Sequence, residues 1–466
     1  MSDTLRLYLA DGAYLIAGIF FILCLRGLSS PQSSRRGVFL GELGMFIAVV
    51  ATLLNKEIIS YTFIIAGLVI GSAIGTAISL RIPMTKMPER IAFSHAFGGL
   101  ATALVGVSEY YNHGVHLAPF KMGAVGFEAF LGFLTFTGSI MAYGKLQGVI
   151  SGAPITFKGQ NYVNIGLFLA VFGVIVFLIV SPGSAPFFYA VCGAGLALGI
   201  MAVLPIGGAD MPVVISLLNS YAGLAACATG FAIDSPVLII AGALDGSSGI
   251  LLSLMMSKAM NRSFANVLFG AFGTQIDPGT ASVGGASKPF NEATVDDAAQ
   301  VLMASQSVIV VPGYGMAVSQ AQHVVRDLAT SLEKRGVQVR YAIHPVAGRM
   351  PGHMNVLLAE ANVSYDNLFD LDDINEDFAR TDAVLIVGAN DVVNPAAKTD
   401  PSSPIYGMPV FNVELSRSII VLKRSMNAGF SGVENELFFL PNTMMVLGDA
   451  KKTLLGLVAA MKDGGH

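Results

Sequence analysis

Long apolar runs dominate the first 262 residues of the chain. A helix that spans a bilayer needs about 20 mostly apolar residues, and nine such runs are present, of which the first two are short. An odd number of crossings places the two termini on opposite sides of the membrane. The predicted spans are residues 8–25, 38–54, 58–80, 91–110, 125–143, 162–180, 186–204, 211–232 and 236–256.

A different pattern begins near residue 291, where short apolar strands alternate with helical segments. Strands are predicted at 307–312, 337–343, 383–388 and 418–422, and helices at 316–334, 351–361, 372–380 and 449–461. Strands that alternate with helices indicate a doubly wound, Rossmann-like parallel sheet. The segment between the two patterns is rich in Gly, Ser, Thr and Pro, which is typical of a linker. We therefore predict a membrane α-helical domain over 1–262, a linker over 263–290 and a soluble α/β domain over 291–466.

Composition agrees with this division. Hydrophobic residues make up 53% of the chain and charged residues 12%, against about 25% charged residues in soluble domains. These values exclude a purely soluble enzyme, a disordered chain and a secreted disulfide scaffold. The net charge of -4 and the scattered cations give no case for nucleic-acid binding. Three cysteines, Cys24, Cys192 and Cys227, lie in apolar runs without metal-ligand spacing, so we expect no metal site.

Lysine and arginine predict the orientation, because they are enriched on the cytoplasmic side of a membrane. Ten of them follow the odd-numbered spans, and three, Arg6, Lys56 and Lys121, lie on the opposite side. The N-terminus is therefore predicted outside and the soluble domain in the cytoplasm. The first apolar run has no basic segment before it, which favours a retained helix over a signal peptide.

Glycines at four-residue spacing occur in two of the spans. Gly67, Gly71 and Gly75 lie in the third span, and Gly195 and Gly199 in the seventh. Small residues at this spacing let helix backbones approach closely in a membrane, so we expect these faces to pack against other helices.

Polar side chains within the spans are candidates for chemistry, because ionisable groups at membrane depth are costly. His95 is the foremost candidate, since imidazole changes charge near pH 6.5 and can pass protons; a neutral histidine bonded inside the bundle is the alternative. Asn219 is the best candidate to share a water chain with His95, because an amide both donates and accepts. Each of the other polar positions is either a functional group or a structural hydrogen-bonding group. These positions are Glu42, Glu128, Thr137, Ser139, Ser220, Asp245, Ser247 and Ser248.

The first predicted strand of the soluble domain leads into a GxGxxV turn. Gly313 and Gly315 permit a tight turn and close approach of a pyrophosphate, and Val318 takes the place of the usual Gly or Ala. The following helix would offer free N–H groups to the phosphates. Strand, turn and helix stand in the order of a dinucleotide site, although a strand–helix turn without a ligand would use the same residues.

Two features favour NADP over NAD. The second strand ends at Ile343 and His344 without the acid that usually binds ribose hydroxyls in NAD sites. Lys423, Arg424 and Ser425 follow a later strand, where two cations and a hydroxyl suit a 2′-phosphate. Exposed Lys–Arg pairs are also common on solvated surfaces.

Longer motifs extend these signals over nearly the whole chain, and together they resemble the beta subunit of the proton-translocating nicotinamide nucleotide transhydrogenases. The motifs lie at residues 207–212, 218–221, 246–249, 260–264, 312–317, 344–361, 388–391 and 423–427.

The resemblance implies a proton-pumping transhydrogenase subunit of a bacterial inner membrane. NADP(H) would bind to this chain, reversed relative to most doubly wound enzymes, and NAD(H) to a partner alpha subunit, with two alpha–beta units forming a dimer in membrane lipid. The positions that match proton passage or coupling are His95, Ser139, Asp210, Asn219 and Arg262. The positions that match cofactor contacts are Gly313, Tyr314, Gly315, Met316, Ala317, Val318, Arg349, Gly388, Asn390, Asp391, Lys423, Arg424, Ser425, Gly429 and Phe430.

Two positions depart from the family pattern. Phe430 stands where the family has Tyr, within a segment that resembles the loop closing over the nucleotide, and lacks the hydroxyl. Asp245 stands where an apolar residue is expected.

The chemistry also requires a partner, because hydride transfer needs two nicotinamides close together and the sequence has one convincing dinucleotide turn. The cofactors carry the chemistry, so no general acid or base is needed. The alternative function is a secondary transporter or channel regulated by an NADP-sensing domain, which would need no NAD(H)-binding chain.

Overall fold

The computed structural model describes residues 3–53, 61–152, 154–207, 210–261, 264, 289–350, 352–403, 405–427 and 433–463. The chain divides into two compact units, Met1–Ile206 with Val214–Ser253 and Gly207–Val213 with Leu254–His466. Most of the predicted linker lies outside the described residues, so the division at 262 and 290 stays a prediction.

Nine helices among the described residues are long and apolar enough to cross a membrane, which confirms the membrane domain. The first two begin at Asp3 and Pro31 and are longer than predicted, because the helices continue through polar residues that an apolar run does not count. The nine helices are α1 Asp3–Leu28, α2 Pro31–Leu53, α3 Thr62–Arg81, α4 Met87–His113, α5 Pro119–Leu146, α6 Gln160–Val180, α7 Ala185–Val203, α8 Met211–Ala232 and α9 Pro236–Ala259.

Small residues bring helices α4, α5 and α7 into close contact. A Cβ at Gly132 of α5 would lie 2.8 Å from the carbonyl oxygen of Gly99 on α4, and a Cβ at Gly199 of α7 would lie 2.2 Å from the carbonyl oxygen of Leu134 on α5. The packing predicted for Gly195 and Gly199 is therefore confirmed.

The glycines of helix α3 are not packed in this way. A Cβ added at Gly67, Gly71 or Gly75 would have no described atom within 4 Å, and none of the residues of α3 is buried. Within the described chain these glycines therefore pack against no other helix.

A six-stranded parallel sheet forms the centre of the soluble domain, in the order β3–β2–β1–β4–β5–β6. The strands are β1 Ser307–Pro312, β2 Gln338–Ile343, β3 Leu368–Asp370, β4 Ala383–Val387, β5 Ser418–Lys423 and β6 Thr443–Leu447. All five residues of β4 are buried, as expected for a strand covered on both faces. This architecture confirms the predicted Rossmann-like fold.

The helices of the soluble domain correct two predictions. The helix predicted over 316–334 is broken, because Gln320 has a φ of 50° in the left-handed region, which no helix accommodates. The segment 372–380 forms one short α-helix followed by a 3₁₀-helix over Asn375–Arg380. The helices are α10 Val295–Ala304, α11 Tyr314–Val318, α12 Gln322–Glu333, α13 His353–Glu360, α14 Leu371–Ile374, α15 Ala396–Thr399 and α16 Ala450–Asp463.

Candidate functional site

A cavity of about 460 Å³ lies at the carboxyl ends of the strands, where the order of the sheet reverses between β1 and β4. Ligands of open α/β sheets bind at this switch point, and the volume lies within the usual range for a small-molecule site. Ten predicted positions line the cavity, namely Gly313, Tyr314, Gly315, Val318, Arg349, Gly388, Asn390, Asp391, Lys423 and Arg424.

Other predicted cofactor positions do not line the cavity. Met316 and Ala317 are almost completely buried beneath the turn, with exposed fractions of 0% and 1%. Ser425 is half-buried at its margin and is not among the lining residues. Gly429 and Phe430 lie outside the described residues.

The turn after β1 is pressed against the turn after β4. A Cβ at Gly313 would lie 2.4 Å from the Cα of Ala389, and a Cβ at Gly315 would lie 2.7 Å from the Cα of Gly388. The Gly313 N–H donates to the Val387 carbonyl and the Gly315 N–H to the Gly388 carbonyl, both at 2.9 Å. Both amides are therefore engaged within the protein. The two glycines are needed for contact between the turns.

Arg349 reaches the cavity from the loop that follows β2. Its guanidinium lies 4.3 Å from the centre of the Tyr314 ring, in a cation–π contact. Its backbone N–H donates to Nδ1 of His353 at 3.1 Å. Burial, with a smaller contribution from the Arg349 charge, lowers the pKa of His353 to about 4. His353 is therefore a neutral acceptor at pH 7 that fixes the loop presenting Arg349.

Lys423 brings a partly desolvated cation to the end of β5. Its ammonium donates to the Asn427 carbonyl at 2.5 Å and lies 4.5 Å from the centre of the Phe438 ring. Burial lowers the pKa of Lys423, and the nearby Asp391 opposes this effect. Arg424 follows as an exposed side chain. The pair therefore presents one cation that is held by the protein and one that is solvated.

Sequence reasoning missed several residues of this site, among them Ile405 and Met408, which line the cavity. Gly448, Asp449 and Ala450, at the turn from β6 to α16, also line the cavity; they were missed because β6 was not predicted. Asn435 is 2% exposed and donates to the Asn390 carbonyl at 3.0 Å. No feature of the sequence around Asn435 indicated this contact.

A second cluster of candidate residues lies between the membrane helices. Nδ1 of His95 on α4 and Oγ of Ser139 on α5 are 3.0 Å apart, and Ser139 is 1% exposed. Nε2 of His95 is also buried and has no hydrogen-bond partner among the described residues. Two of the predicted proton-path residues are therefore in direct contact.

The remaining membrane candidates are arranged differently. The Asn219 amide donates to Asp245 Oδ1 at 2.8 Å, so the observed partner of Asn219 is the unexpected acid of α9. Asp245 lies within α9, which is continuous over Pro236–Ala259. Asp210 lies just before α8 and is 9% exposed, whereas Arg262 lies outside the described residues. The structure thus brings together two pairs, His95–Ser139 and Asn219–Asp245.

An apolar bundle with polar pairs between its helices, joined to a doubly wound domain with a cation-lined cavity, defines an integral membrane protein that carries a nucleotide-binding fold. The model of the family described as NAD(P) transhydrogenase beta subunit matches residues 10–460. NAD(P) transhydrogenase subunit beta of Rhodospirillum rubrum, and the same subunit of its strain ATCC 11170, are each 49% identical over 467 aligned residues, 97% of this chain and 99% of theirs. The chain belongs to the NAD(P) transhydrogenase beta subunit family.

This membership confirms the resemblance drawn from the motifs. It makes the chain part of an enzyme that uses nicotinamide nucleotides, and a beta subunit implies an alpha subunit in the same complex.

Proposed function

We propose that this chain binds NADP(H), exchanges hydride with NAD(H) held by the alpha subunit, and couples the exchange to proton movement across the membrane. The observation that carries the proposal is the cavity at the β1–β4 switch point, lined by Lys423 and Arg424. Two cations suit the additional phosphate dianion that distinguishes NADP from NAD. The rival function, a transporter regulated by an NADP-sensing domain, would need the same cavity without a hydride-exchanging partner.

The residues around the cavity fit such a cofactor. NADP(H) supplies the hydride when it is bound, so the protein has to bind, orient and shield it. Lys423 and Arg424, with Ser425 beside them, would hold the 2′-phosphate. Arg349, from the loop after β2, and Tyr314, from the turn after β1, form a cationic and aromatic surface, which suits a phosphate and a flat ring.

The other predicted contacts have supporting roles. Gly313, Gly315 and Gly388 let the two turns meet, and Asn390 and Asp391 supply polar groups at the end of β4. Gly429 and Phe430 are predicted to belong to a segment that closes over the nucleotide. Met316 and Ala317 support the turn from beneath.

The membrane unit would provide the proton path. His95 and Ser139 form its central pair. Asn219, Asp210 and Arg262 would take part in proton passage or in coupling the proton path to the nucleotide site. NADH and NADPH are nearly equal as reductants, so the exchange alone has almost no driving force. One charge crossing ~150–200 mV releases about 3.5–4.6 kcal/mol, which shifts a product ratio by about 300- to 2000-fold. A proton path linked to the nucleotide site therefore has a thermodynamic purpose.

The charge asymmetry of the loops supports the orientation of the chain, and the family resemblance supports the choice of membrane. We infer a bacterial inner membrane, with the N-terminus outside and residues 291–466 in the cytoplasm, where the alpha subunit can present NAD(H). The functional domains are 1–262 and 291–466, joined by 263–290, and two alpha–beta units would form the complete enzyme.

The test is hydride exchange in the purified complex. With the alpha subunit present, NADPH should reduce an NAD⁺ analogue, and proton movement in vesicles should accompany the reaction. The beta chain alone should bind NADPH without exchanging hydride. Ion transport that responds to NADPH and requires no alpha subunit would favour the rival function.

A further inference from the structure

The contact between α4 and α5 contains a row of buried polar groups. On α5, Glu128, Thr135 and Ser139 are spaced by seven and four residues, which places them on one face of a helix. All three are buried, with exposed fractions between 0% and 1%. Ser139 meets His95 of α4 at 3.0 Å. The pair proposed for proton passage is therefore one end of a longer polar seam.

Glycines of α4 make room for the other two members of the seam. A Cβ at Gly99 would lie 2.9 Å from Cγ2 of Thr135, and a Cβ at Gly106 would lie 2.6 Å from Oε1 of Glu128. Any larger residue at either position would collide with the side chain opposite. The face of α4 is thus shaped around Thr135 and Glu128.

Glu128 is 0% exposed, and neither carboxyl oxygen has a hydrogen-bond partner within bonding geometry among the described residues. Thr229 of α8 is close enough to interact with it, but the Thr229 hydroxyl donates to the Ala225 carbonyl at 3.0 Å. No cation is paired with Glu128 among the described ion pairs. A fully buried carboxyl that has only the Thr229 hydroxyl nearby and no described paired cation is stable as the neutral acid, because an unpaired buried charge is very costly.

We propose that Glu128 is a further proton-binding group of the path, which continues from His95 and Ser139 along the α4–α5 seam. The inference rests on the proposed proton translocation and extends it toward the outer side. A purely structural polar residue at this depth would be expected to have its hydrogen bonds satisfied within the bundle. Glu128 instead offers a transferable proton in a space kept open by Gly106.

The seam also has an outer end. Glu109 of α4 is near enough to Glu128 to interact electrostatically, and Glu109 is paired with Nδ1 of His113 at 3.1 Å. The His113 side chain is 61% exposed and that of Glu109 is 20% exposed. A proton leaving Glu128 would therefore meet an acid–imidazole pair that reaches the surface of the unit.

The spacing along α5 defines how protons would move. Seven residues of helix separate Glu128 and Thr135 by about 10.5 Å, which is too far for direct transfer. The Thr135 hydroxyl, which has no described partner, and water between the helices would link them. In each cycle Glu128 releases its proton either to the Thr135 hydroxyl and its waters or to Glu109. It then regains a proton from the opposite end of the path, so no other reactant is consumed.

The experiment uses the complete alpha–beta complex in lipid vesicles and compares Glu128→Gln with Glu42→Gln. Glu42 is a matched control, since it is also a glutamate of a membrane helix but is exposed. Glu128→Gln should lower the initial rate of proton uptake by about a hundredfold or more, the lower end of the range for loss of a proton-transfer group, with protein yield and NADPH binding unchanged. Glu42→Gln should pump normally. Uptake by Glu128→Gln at the wild-type rate would overturn the inference.

A second variant covers the case in which Glu128→Gln does not accumulate. Glu128→Asp retains an ionisable group on a shorter side chain, and we expect reduced uptake with an altered pH profile. A wild-type pH profile for Glu128→Asp would contradict a proton-binding role. Failure of the wild-type complex to couple hydride exchange to proton uptake would instead reject the proposed function, so the two failures are distinguishable.

Discussion

Two buried histidines should make the soluble domain sensitive to mild acid. His344 donates through Nε2 to the Pro409 carbonyl at 2.7 Å and accepts the Val346 N–H through Nδ1 at 3.2 Å. Burial lowers its pKa to about 4, as it does for His353. A second proton on either ring would remove the acceptor that holds a loop beside the cavity.

The magnitude follows from proton linkage. An unfolded histidine has a pKa of about 6.5, so between pH 6.5 and 4 the unfolded chain binds more protons than the folded domain, and stability falls as the pH is lowered. At pH 5 each histidine should reduce the free energy of unfolding by about 2 kcal/mol relative to pH 7, or about 4 kcal/mol for the pair. The stability contributed by neutral histidine is complete above pH 6.5 and lost below pH 4.

The assay is urea unfolding of residues 291–466, which we expect to fold alone, followed by far-ultraviolet circular dichroism because the chain has no tryptophan. His353→Gln removes one titrating group and should halve the pH dependence between pH 5 and 7. The matched control is His323→Gln, at an exposed position of α12, which should leave the dependence unchanged. Equal stability of the wild-type domain at pH 5 and pH 7 would refute the reasoning.

Two further predictions concern the cofactor and the topology. Replacing Lys423 and Arg424 together by Ala should weaken NADPH binding at least about tenfold and leave NADH binding little changed, because each lost charge-assisted hydrogen bond costs about 1.5–3 kcal/mol. Calorimetric titration would measure both affinities. Equal loss for both nucleotides would argue against a 2′-phosphate site. A topology reporter fused after Met256 should be active only as a cytoplasmic type, and one at Met1 only as an external type; both ends on one side would mean that a span had been miscounted.

The membrane helices were predictable because the bilayer imposes a length and an apolar composition on each span. Their ends were less predictable. Helix α2 begins at Pro31, seven residues before the predicted start at residue 38, because proline is accepted in the first turn and the arginines that follow do not break a helix.

The sheet was predictable where its strands are β-branched and buried. Strand β4, with the sequence AVLIV, was found in this way. The missed strands have weaker signals: β3 has three residues at the sheet edge, and β6 contains two methionines, which are not typical of strands. The break at Gln320 was not predictable either, because the left-handed backbone conformation there has no Gly or Pro to indicate it.

The candidate sites show the same limit. His95 was identified as a candidate because ionisable groups at membrane depth are costly, and Lys423 because it follows a strand beside Arg424 and Ser425, which suits a phosphate. The partners could not be predicted, since His95 and Ser139 are 44 residues apart and meet only through the register of α4 against α5. The same holds for Asn219 and Asp245, which come from neighbouring helices.

The central claim is that hydride exchange at the NADP(H) site is coupled to proton movement through His95. The direct measurement is proton uptake into vesicles that contain the alpha–beta complex, recorded together with hydride transfer for the wild type and His95→Asn. We predict that His95→Asn keeps its yield and NADPH binding while proton-coupled hydride transfer collapses. Normal pumping by a well-folded His95→Asn protein would contradict the account.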